Sequence, residues 1–251
     1  MPMNNLPHVI ITAGGTSEPI DAVRCWGNLF TGQTGIAIAL AVCEFARVTL
    51  LLARSAKEPT KITPAAAVNL EIRRFTTGDE LAVQLEVLVK SSPAAIFMTA
   101  AVGDYKPIRV VRVITEEVPE SDAVPGRQRW VVEEITGSKI KSDYEKIAVL
   151  GIRTPKIIDR LRRDWRYGGL IYKFKLEADV SEQELIRIAE ESRQISHADV
   201  IVANTLEMVD EKTGCAWVID AFERRRIARH VLAKHLAEHL YDRLIHQVMN
   251  G

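Results

Sequence analysis

Two glycine-bearing stretches near the amino terminus combine the residue types that proteins use to hold phosphate groups. The first, ITAGGT, contains Gly14 and Gly15, and the second, TGQTG, contains Thr31, Gly32 and Gly35. Small and apolar residues follow the second stretch, so we expect a helix that begins there with its first backbone amides free. Free amides at the positive end of a helix bind anions. The spacing therefore predicts a phosphate site, with a simple connecting turn as the alternative.

Other small or polar residues follow the remaining predicted strands. In a parallel α/β sheet the carboxyl ends of the strands meet at one edge, where ligands bind. Residues that follow different strands are therefore candidates for a single site. Beyond the two glycine stretches, the candidates from these strand ends are Arg54, Thr99, Ala100, Ala101, Asp104, Phe174, Lys175, Asn204 and Thr205.

Composition limits the class of protein. The chain has 251 residues, of which 47% are hydrophobic and 26% charged, and this predicts a single α/β domain spanning residues 1–251. A formal net charge of zero gives no broad positive field for nucleic acid or anionic lipid. Three widely spaced cysteines fit neither a disulfide framework nor a paired-thiolate zinc site. We therefore expect a cytoplasmic protein without nucleic-acid or membrane partners and without metal-ligating residues of its own.

The order of elements predicts the fold class. Short apolar runs such as HVIITA, VTLLLA, AIFMTA and DVIVA alternate with helical patterns. This alternation is typical of βαβ units, and it predicts an α/β fold with a Rossmann-like, doubly wound, mostly parallel sheet. Capping spacings at Thr77 and Ser181 and a Thr154-Pro155 pair predict three helix starts. The stretch that begins RRIARHVL and includes Ile227 predicts a long amphipathic helix at the carboxyl end.

The middle of the chain breaks this pattern. The segment of about residues 106–150 contains stretches with β propensity and a PESDAVPG turn, but its apolar residues show no helical period. We interpret this segment as a β-rich excursion from the α/β layer, a flap or hairpin.

Neither common nucleotide fingerprint is present. The stretch AGGTSEPI is not G-x-G-x-x-G, and the chain has no G-x-x-x-x-G-K-[ST]. The stretch TGQTGIA partly matches the T-G-x-x-x-G-I-G of short-chain reductases, and Arg54 could meet the 2′-phosphate of NADP. An NADP-dependent reductase is therefore one alternative.

Seven stretches in order, from about residue 9 to 220, resemble the phosphopantothenate–cysteine ligase family. They are ITAGGTSEPIDAVRCWGN, the TG and G that open the next helix, TAAVGDYKP, SKIKS, RTPKII, FKLEADV and ADVIVANTLE. The chain looks like the free-standing form, because no flavin-dependent decarboxylase precedes these stretches. The resemblance implies an enzyme of coenzyme A synthesis that joins 4′-phosphopantothenate to L-cysteine. It also implies a homodimer, formed in part through residues 106–150, and Mg²⁺ with ATP or CTP as co-substrate.

The implied reaction proceeds through an acyl-nucleotide. The substrate carboxylate attacks the α-phosphate and pyrophosphate leaves, and the cysteine amine then displaces the nucleoside monophosphate. Negative charge accumulates on the phosphates, so such a site needs backbone amides, a cation and Mg²⁺ more than it needs an acid–base pair.

The resemblance also implies roles for individual residues. Asn28 contacts the reacting acyl group, and Lys139 closes over the phosphates from a flexible loop. Arg24 has either a phosphate-binding or a structural ion-pair role. The nucleotide-binding residues are Gly14, Gly15, Thr31, Gly32, Gly35, Phe174 and Asn204, of which Phe174 and Asn204 flank the base. The residues that hold phosphopantothenate are Arg24, Ala100, Ala101 and Asp104.

Several positions depart from the family pattern. The usual Asn-x-Ser-Ser-Gly-Lys/Arg becomes Asn28-Leu29-Phe30-Thr31-Gly32-Gln33, which removes a hydroxyl and a cation beside the phosphates. Loss of one charge-assisted contact of this kind costs about 1.5–3 kcal/mol. A catalytically weakened, ligase-like nucleotide-binding domain is therefore a further alternative.

Overall fold

The computed structural model describes residues 6–117, 129–210 and 213–249, and these divide into two compact units. The sheet unit takes its described residues from Met1–Thr16, Leu29–Ala101 and Lys156–Gly251. The small unit takes its described residues from Ser17–Asn28 and Val102–Pro155. The small unit thus includes the segment that the sequence sets apart, together with a short stretch much nearer the amino terminus.

The sheet unit alternates strands and helices along the chain. Its strands are β1 (His8–Ala13), β4 (Arg47–Ala53), β5 (Leu70–Phe75), β6 (Ala95–Met98), β10 (Leu170–Glu177), β11 (Val200–Thr205), β12 (Cys215–Ile219) and β13 (Arg224–Ala228). Its helices are α1 (Gln33–Val42), α2 (Pro64–Asn69), α3 (Gly78–Val89), α4 (Ile157–Arg163), α5 (Glu182–Ile195) and α6 (Arg229–Met249), with a short 3₁₀ helix at Glu207–Val209.

These strands form one eight-stranded sheet in the order β13-β12-β11-β10-β6-β1-β4-β5. All neighbours from β11 to β5 pair in parallel, and β12 pairs antiparallel with both β11 and β13. The predicted α/β class with a mostly parallel, Rossmann-like sheet is confirmed. The chain adds β4 and β5 on one side of β1 and then crosses over to add β6 on the other. The topological switch point, where such sheets bind ligands, therefore lies between β1 and β6.

Helices cover both faces of the sheet. On one face Leu185 of α5 packs with Ile201 and Ile219 in a fully buried cluster. On the other face the Tyr172 hydroxyl of β10 lies 2.9 Å from Nδ1 of His239 in α6. Helix α1 packs against α6, so both lie on this second face. Because the strands are buried on both sides, their sequences are continuously apolar instead of alternating.

Two of the three predicted helix starts are confirmed. The Thr77 and Ser181 hydroxyls accept hydrogen bonds from the amides three residues on, at 3.1 and 3.3 Å. The predicted start at Thr154 is wrong, because α4 begins at Ile157 after Lys156. The Thr154 hydroxyl instead donates to the Gly103 carbonyl oxygen at 2.6 Å, within the small unit.

The carboxyl-terminal helix begins later than the sequence predicts. Ile227 belongs to β13, which pairs with β12 through a turn in which Asp220 accepts hydrogen bonds from the amides of Phe222 and Glu223, at 2.7 and 2.9 Å. Backbone pairing with the neighbouring strand of this hairpin outweighs the helical period of the sequence. Helix α6 therefore starts at Arg229.

The described residues of the small unit form five strands. A two-stranded ribbon joins β2 (Ser17–Pro19) to β3 (Cys25–Gly27), and an antiparallel sheet has the order β8-β7-β9. Its strands are β7 (Tyr105–Glu117), β8 (Arg129–Glu134) and β9 (Ile147–Arg153). A Cβ built at Gly151 would lie 3.1 Å from the Trp26 ring, so the ribbon packs closely on β9. The predicted PESDAVPG turn lies outside the described residues.

No helix in the described ranges is long and apolar enough to cross a membrane.

Candidate functional site

The amino terminus of α1 is open and lacks a side-chain cap. Gly32 occupies the cap position with φ 79° and ψ 3°, and no side-chain capping hydrogen bond is formed at this residue. The first intrahelical bond runs from the Ile36 amide to the Gly32 carbonyl oxygen at 3.0 Å. The amides of Gln33, Thr34 and Gly35 have no carbonyl one turn earlier to which they can donate. They form a cluster of donors at the positive end of the helix, which suits an anion.

Glycine is required here because the backbones pack closely. A Cβ at Gly32 would lie 2.9 Å from the Gly14 nitrogen, and a Cβ at Gly14 would lie 2.6 Å from that of Ala53. Both residues have positive φ, which side chains disfavour. A Cβ at Gly35 would lie 2.7 Å from the Cβ of Ala13, so this glycine brings α1 against β1. The three glycines thus hold the helix start directly over the end of β1.

The loops after β1 and β6 are bonded together at the switch point. Gly15 and Ala101 form a parallel bridge, the Thr16 amide donates to the Ala101 carbonyl oxygen at 3.0 Å, and the Ala101 amide donates to the Gly14 carbonyl oxygen at 2.9 Å. The Ala100 amide donates to the buried Thr12 hydroxyl at 3.0 Å. The sequence predicts that Ala100 and Ala101 hold substrate, but their amides are already used within the protein. Any contact to substrate must therefore come from other atoms of these residues.

Phe174 and Asn204 point to the same face of the sheet near its carboxyl edge. Phe174 of β10 pairs in register with Val202 of β11. Two residues further along both strands, Leu176 pairs with Asn204. Tyr172, two residues before Phe174, contacts α6, so this is the face that also carries α1. The Asn204 side-chain amide donates to the Thr205 carbonyl oxygen at 3.1 Å. A half-buried aromatic ring beside a polar amide can stack on a nucleotide base and bond its edge.

Four other predicted site residues, Arg24, Asn28, Asp104 and Lys139, belong to the small unit. Asn28 is exposed and directly follows β3. Asp104 is exposed at the start of β7, and its carbonyl oxygen accepts from the Thr154 amide at 2.9 Å. Lys139 is exposed in the loop between β8 and β9. The other predicted site residues belong to the sheet unit.

Asp21, which sequence reasoning did not single out, holds the loop that carries Lys139. One carboxylate oxygen accepts the amides of Val23 and Arg24 at 2.9 and 2.7 Å. The other accepts the Ile140 amide at 3.0 Å and lies 3.0 Å from the Arg24 guanidinium. The Arg24 guanidinium also donates to the Ile140 carbonyl oxygen. Arg24 therefore has the structural ion-pair role that the sequence left as one of two possibilities.

The two ends of the Lys139 peptide are both fixed. The Ala22 amide donates to the Ser138 carbonyl oxygen at 2.9 Å, and buried Ile140 is bonded as described above. The family resemblance implies a flexible loop at this lysine. Here the backbone on both sides is bonded to the turn at residues 21–24, while the Lys139 side chain is exposed.

We expect Asp21→Asn to loosen this loop. Each carboxylate oxygen of Asp21 now accepts hydrogen bonds from two N–H groups. In either orientation of the asparagine amide, its NH₂ group would face two of these donors and could not accept from them. Hydrogen exchange of the Ile140 amide should accelerate at neutral pH, as measured by NMR. The control is Asp143→Asn, which changes an exposed aspartate of the same loop. Equal exchange in all three proteins would contradict the assignment.

The same contact predicts a pH dependence. The backbone amides of Ile140, Val23 and Arg24 lower the pKa of Asp21 to about 2. Folding lowers the pKa of Asp21, so the contact stabilises the protein fully at pH values above the pKa of the unfolded chain, about 3.9. This stability is lost as the pH falls toward 2. Ile140 exchange, corrected for intrinsic rates, should therefore rise at low pH in the wild type.

The described residues contain no group of three or more His, Cys, Asp and Glu side chains that could hold a metal ion. His239, one of four histidines on α6, instead contacts Tyr172 and, at 3.4 Å, Asp220. These residues do not fit a metal held by protein ligands. A Mg²⁺ ion that enters on nucleotide phosphates needs few or no protein ligands, because it usually keeps several waters.

Comparison with known proteins supports the family resemblance. Residues 5–116 match the model of the DNA/pantothenate metabolism flavoprotein C-terminal domain. The coenzyme A biosynthesis bifunctional protein CoaBC of Thermococcus kodakarensis is 28% identical over 237 residues, which cover 94% of this chain and 50% of that protein. The chain thus spans about half the length of the curated relatives it matches.

Solved structures support the same conclusion. The crystal structure of the DNA/pantothenate metabolism flavoprotein from Streptococcus pneumoniae has a TM-score of 0.75 and 25% identity, and covers 96% of this chain and 99% of its own. A Cab2 mutant in complex with phosphopantothenate-cysteine has a TM-score of 0.70 and 19% identity, and covers 97% of this chain and 88% of its own, a likeness that shows the shared fold. The resemblance stated from the sequence is confirmed.

Proposed function

We propose that this chain is a phosphopantothenate–cysteine ligase that activates the substrate carboxylate with a nucleoside triphosphate. The observation that carries the proposal is the open start of α1 at the switch point, built on Gly14, Gly32 and Gly35. The family match and the CoaBC relatives give the reaction class, and the Cab2 complex contains the product that such a ligase makes.

In the first half-reaction, a carboxylate oxygen of phosphopantothenate forms a bond to the α-phosphorus of the nucleotide. The bond from that phosphorus to the bridging oxygen breaks, and pyrophosphate leaves with the electron pair. The amides of Gln33, Thr34 and Gly35 bind the phosphates, and Phe174 and Asn204 bind the base. A Mg²⁺ ion carried on the nucleotide would neutralise part of the phosphate charge. Lys139 stabilises the charge that develops on the phosphates, and Asn28 donates to the acyl oxygen.

In the second half-reaction, the cysteine nitrogen bonds to the acyl carbon. The bond between that carbon and the phosphate oxygen breaks, the nucleoside monophosphate leaves, and the nitrogen loses a proton to water. Neutral Asn28 suits both steps, because it can donate to a carboxylate and to the carbonyl of the acyl-nucleotide without carrying a charge. The proposal needs no residue that changes protonation state in either step.

The direct experiment is to incubate the protein with phosphopantothenate, cysteine, Mg²⁺ and either ATP or CTP. We expect equal amounts of pyrophosphate and coupled product, both measured by mass spectrometry. The nucleotide that gives the faster reaction is the natural co-substrate. Pyrophosphate without coupled product would show that only the first half-reaction proceeds. Neither product with either nucleotide would favour the weakened, ligase-like domain.

The NADP-dependent reductase is not favoured. The family match and relatives belong to coenzyme A biosynthesis, and the glycine stretch after Phe30 opens α1 some distance after β1 instead of forming its first turn. We expect no saturable binding of NADPH by fluorescence titration.

We also propose that the protein forms a homodimer through the small unit. Its three-stranded sheet carries many exposed apolar side chains, and exposed apolar side chains concentrated on one element often mark interaction sites. The exposed apolar residues of these strands include Tyr105, Ile108, Ile114, Trp130, Val131, Val132, Ile147, Leu150 and Ile152.

Placing a charge in this patch should separate the protomers. We expect Ile152→Lys to convert the dimer to a monomer at micromolar concentration, as measured by size-exclusion chromatography with light scattering. The control is Ile195→Lys, which changes an exposed isoleucine of α5 in the sheet unit. A monomeric wild type, or a dimer that survives Ile152→Lys, would contradict this surface.

A further inference from the structure

Arg229, the first residue of α6, reaches the open start of α1. Its guanidinium donates from Nη2 to the Thr34 hydroxyl at 3.0 Å, and its backbone amide donates to the Gly214 carbonyl oxygen at 2.9 Å. Two successive antiparallel pairings make β13 run in the same direction as β11. The carboxyl end of β13, and with it Arg229, therefore lies at the same sheet edge as the ends of β10 and β11.

Arg229 has no carboxylate partner within the described chain. No carboxylate of the described residues lies within 4.0 Å of its guanidinium, whereas the three arginines of the preceding strand, β13, each pair with a glutamate. These pairs are Arg224 with Glu190 at 2.6 Å, Arg225 with Glu223 at 2.7 Å, and Arg226 with Glu182 at 3.1 Å. Arg229 is also partly buried, while the other three are exposed.

This position is electrostatically unfavourable unless an anion is bound. The start of a helix is its positive end, so a cation beside it is repelled, and this cost is larger where burial limits solvent screening. An anion at the amides of Gln33, Thr34 and Gly35 would turn that repulsion into attraction. A guanidinium can also bind two phosphate oxygens at once.

Position 33 supplies the complementary observation. The family pattern has Lys or Arg there, whereas this chain has Gln33, exposed in the first residue of α1. We infer that Arg229 supplies from α6 the phosphate-binding cation that position 33 lacks. The inference rests on the proposed function, because it assigns Arg229 to the triphosphate of the same nucleotide. Thr34 acts as a positioning residue that holds the guanidinium at the helix start.

The test measures binding separately from turnover. Calorimetry with inorganic tripolyphosphate, and with Mg²⁺ complexes of ATP and CTP analogues that carry a methylene bridge between the α- and β-phosphates, reports affinity without reaction. We expect Arg229→Gln to weaken binding about ten- to a hundredfold, the effect of losing a hydrogen bond to a charged group. Arg229→Lys should lose less. Arg225→Gln, on β13 just before α6, is the matched control and should bind as the wild type does.

Two further variants separate binding from folding. Thr34→Val removes the anchor of the guanidinium and should weaken phosphate binding even if Arg229→Gln does not fold. Gln33→Lys in the Arg229→Gln background returns a cation to the helix start and should restore most of the affinity. In steady-state kinetics, Arg229→Gln should raise KM for the nucleotide and leave KM for phosphopantothenate unchanged.

The outcomes distinguish this inference from the proposed function. Wild-type affinity for tripolyphosphate and nucleotide in Arg229→Gln would overturn the inference, and product formation by the wild type would still support the ligase. Phosphate binding that depends on Arg229 in a wild type that forms no product would support the inference and contradict the ligase. A wild type that binds none of these probes would overturn both.

Discussion

Replacing Lys139 by glutamine is expected to abolish formation of the acyl-nucleotide while leaving the fold intact. In the proposed reaction its ammonium group stabilises charge on the phosphates as pyrophosphate leaves. Loss of one preorganised donor to such a transition state typically costs about 10²–10³ in rate. The Lys139 side chain is exposed. The loop around it is fixed by hydrogen bonds of its backbone to Ala22, Asp21 and Arg24, none of which involves the lysine side chain. Pyrophosphate release and the thermal unfolding midpoint measure the two parts of this prediction.

Lys141→Gln provides a matched control, because Lys141 is an exposed lysine of the same loop. We expect it to release pyrophosphate at close to the wild-type rate. If Lys139→Gln also releases pyrophosphate at that rate, the assignment of Lys139 is wrong. If both variants lose activity equally, the loop acts through its general charge and not through one positioned ammonium group.

The fold could be predicted wherever a local pattern and a long-range demand agree. The apolar runs of β1, β4, β6 and β11 are buried on both faces, so composition alone marks them as central strands. The two disagree at Thr154, whose hydroxyl bonds Gly103, more than fifty residues away. At Ile227 two local patterns compete. Its helical spacing with the residues of α6 is real, but the backbone of residues 224–228 pairs with β12 in a hairpin.

The candidate site shows the same division. Residues that follow strands, such as Gly14, Ala101 and Asn204, could be predicted to lie at one edge because parallel strands end together. Asp21 and Arg229 were not found, because their partners lie 119 and 195 residues away. A local signal existed for Asp21, which forms an Asx turn with Val23 and Arg24, but nothing local indicates that it also holds Ile140.

The departures at positions 30 and 33 therefore do not by themselves indicate a weakened enzyme. The cation that is absent at Gln33 has a candidate replacement in Arg229, which contacts the next residue of α1. Phe30 precedes the cap Gly32, and nothing in the described structure explains its choice over serine. The open amides of α1 do not depend on the side chain at either position, since backbone groups form them.

A negative charge at Asn28 should separate binding from chemistry. The proposed role of Asn28 is to donate from its neutral amide to the substrate acyl group, and Asn28→Asp replaces that donor with a carboxylate. Two like charges about 4 Å apart repel by about 1 kcal/mol in water and about 4 kcal/mol at an effective dielectric constant of 20. At about 1.4 kcal/mol per tenfold, this corresponds to a loss in kcat/KM of between about fivefold and several hundredfold for phosphopantothenate.

Nucleotide binding should change little, because Asn28 is proposed to contact the substrate acyl group and not the phosphates or the base. Asn28→Ala removes the donor without adding a charge, so its loss should be smaller than that of Asn28→Asp. If Asn28→Asp has wild-type steady-state kinetics, Asn28 does not contact the acyl group. If both variants lose equal activity, the amide matters as a donor and the added charge lies too far from the substrate carboxylate to repel it.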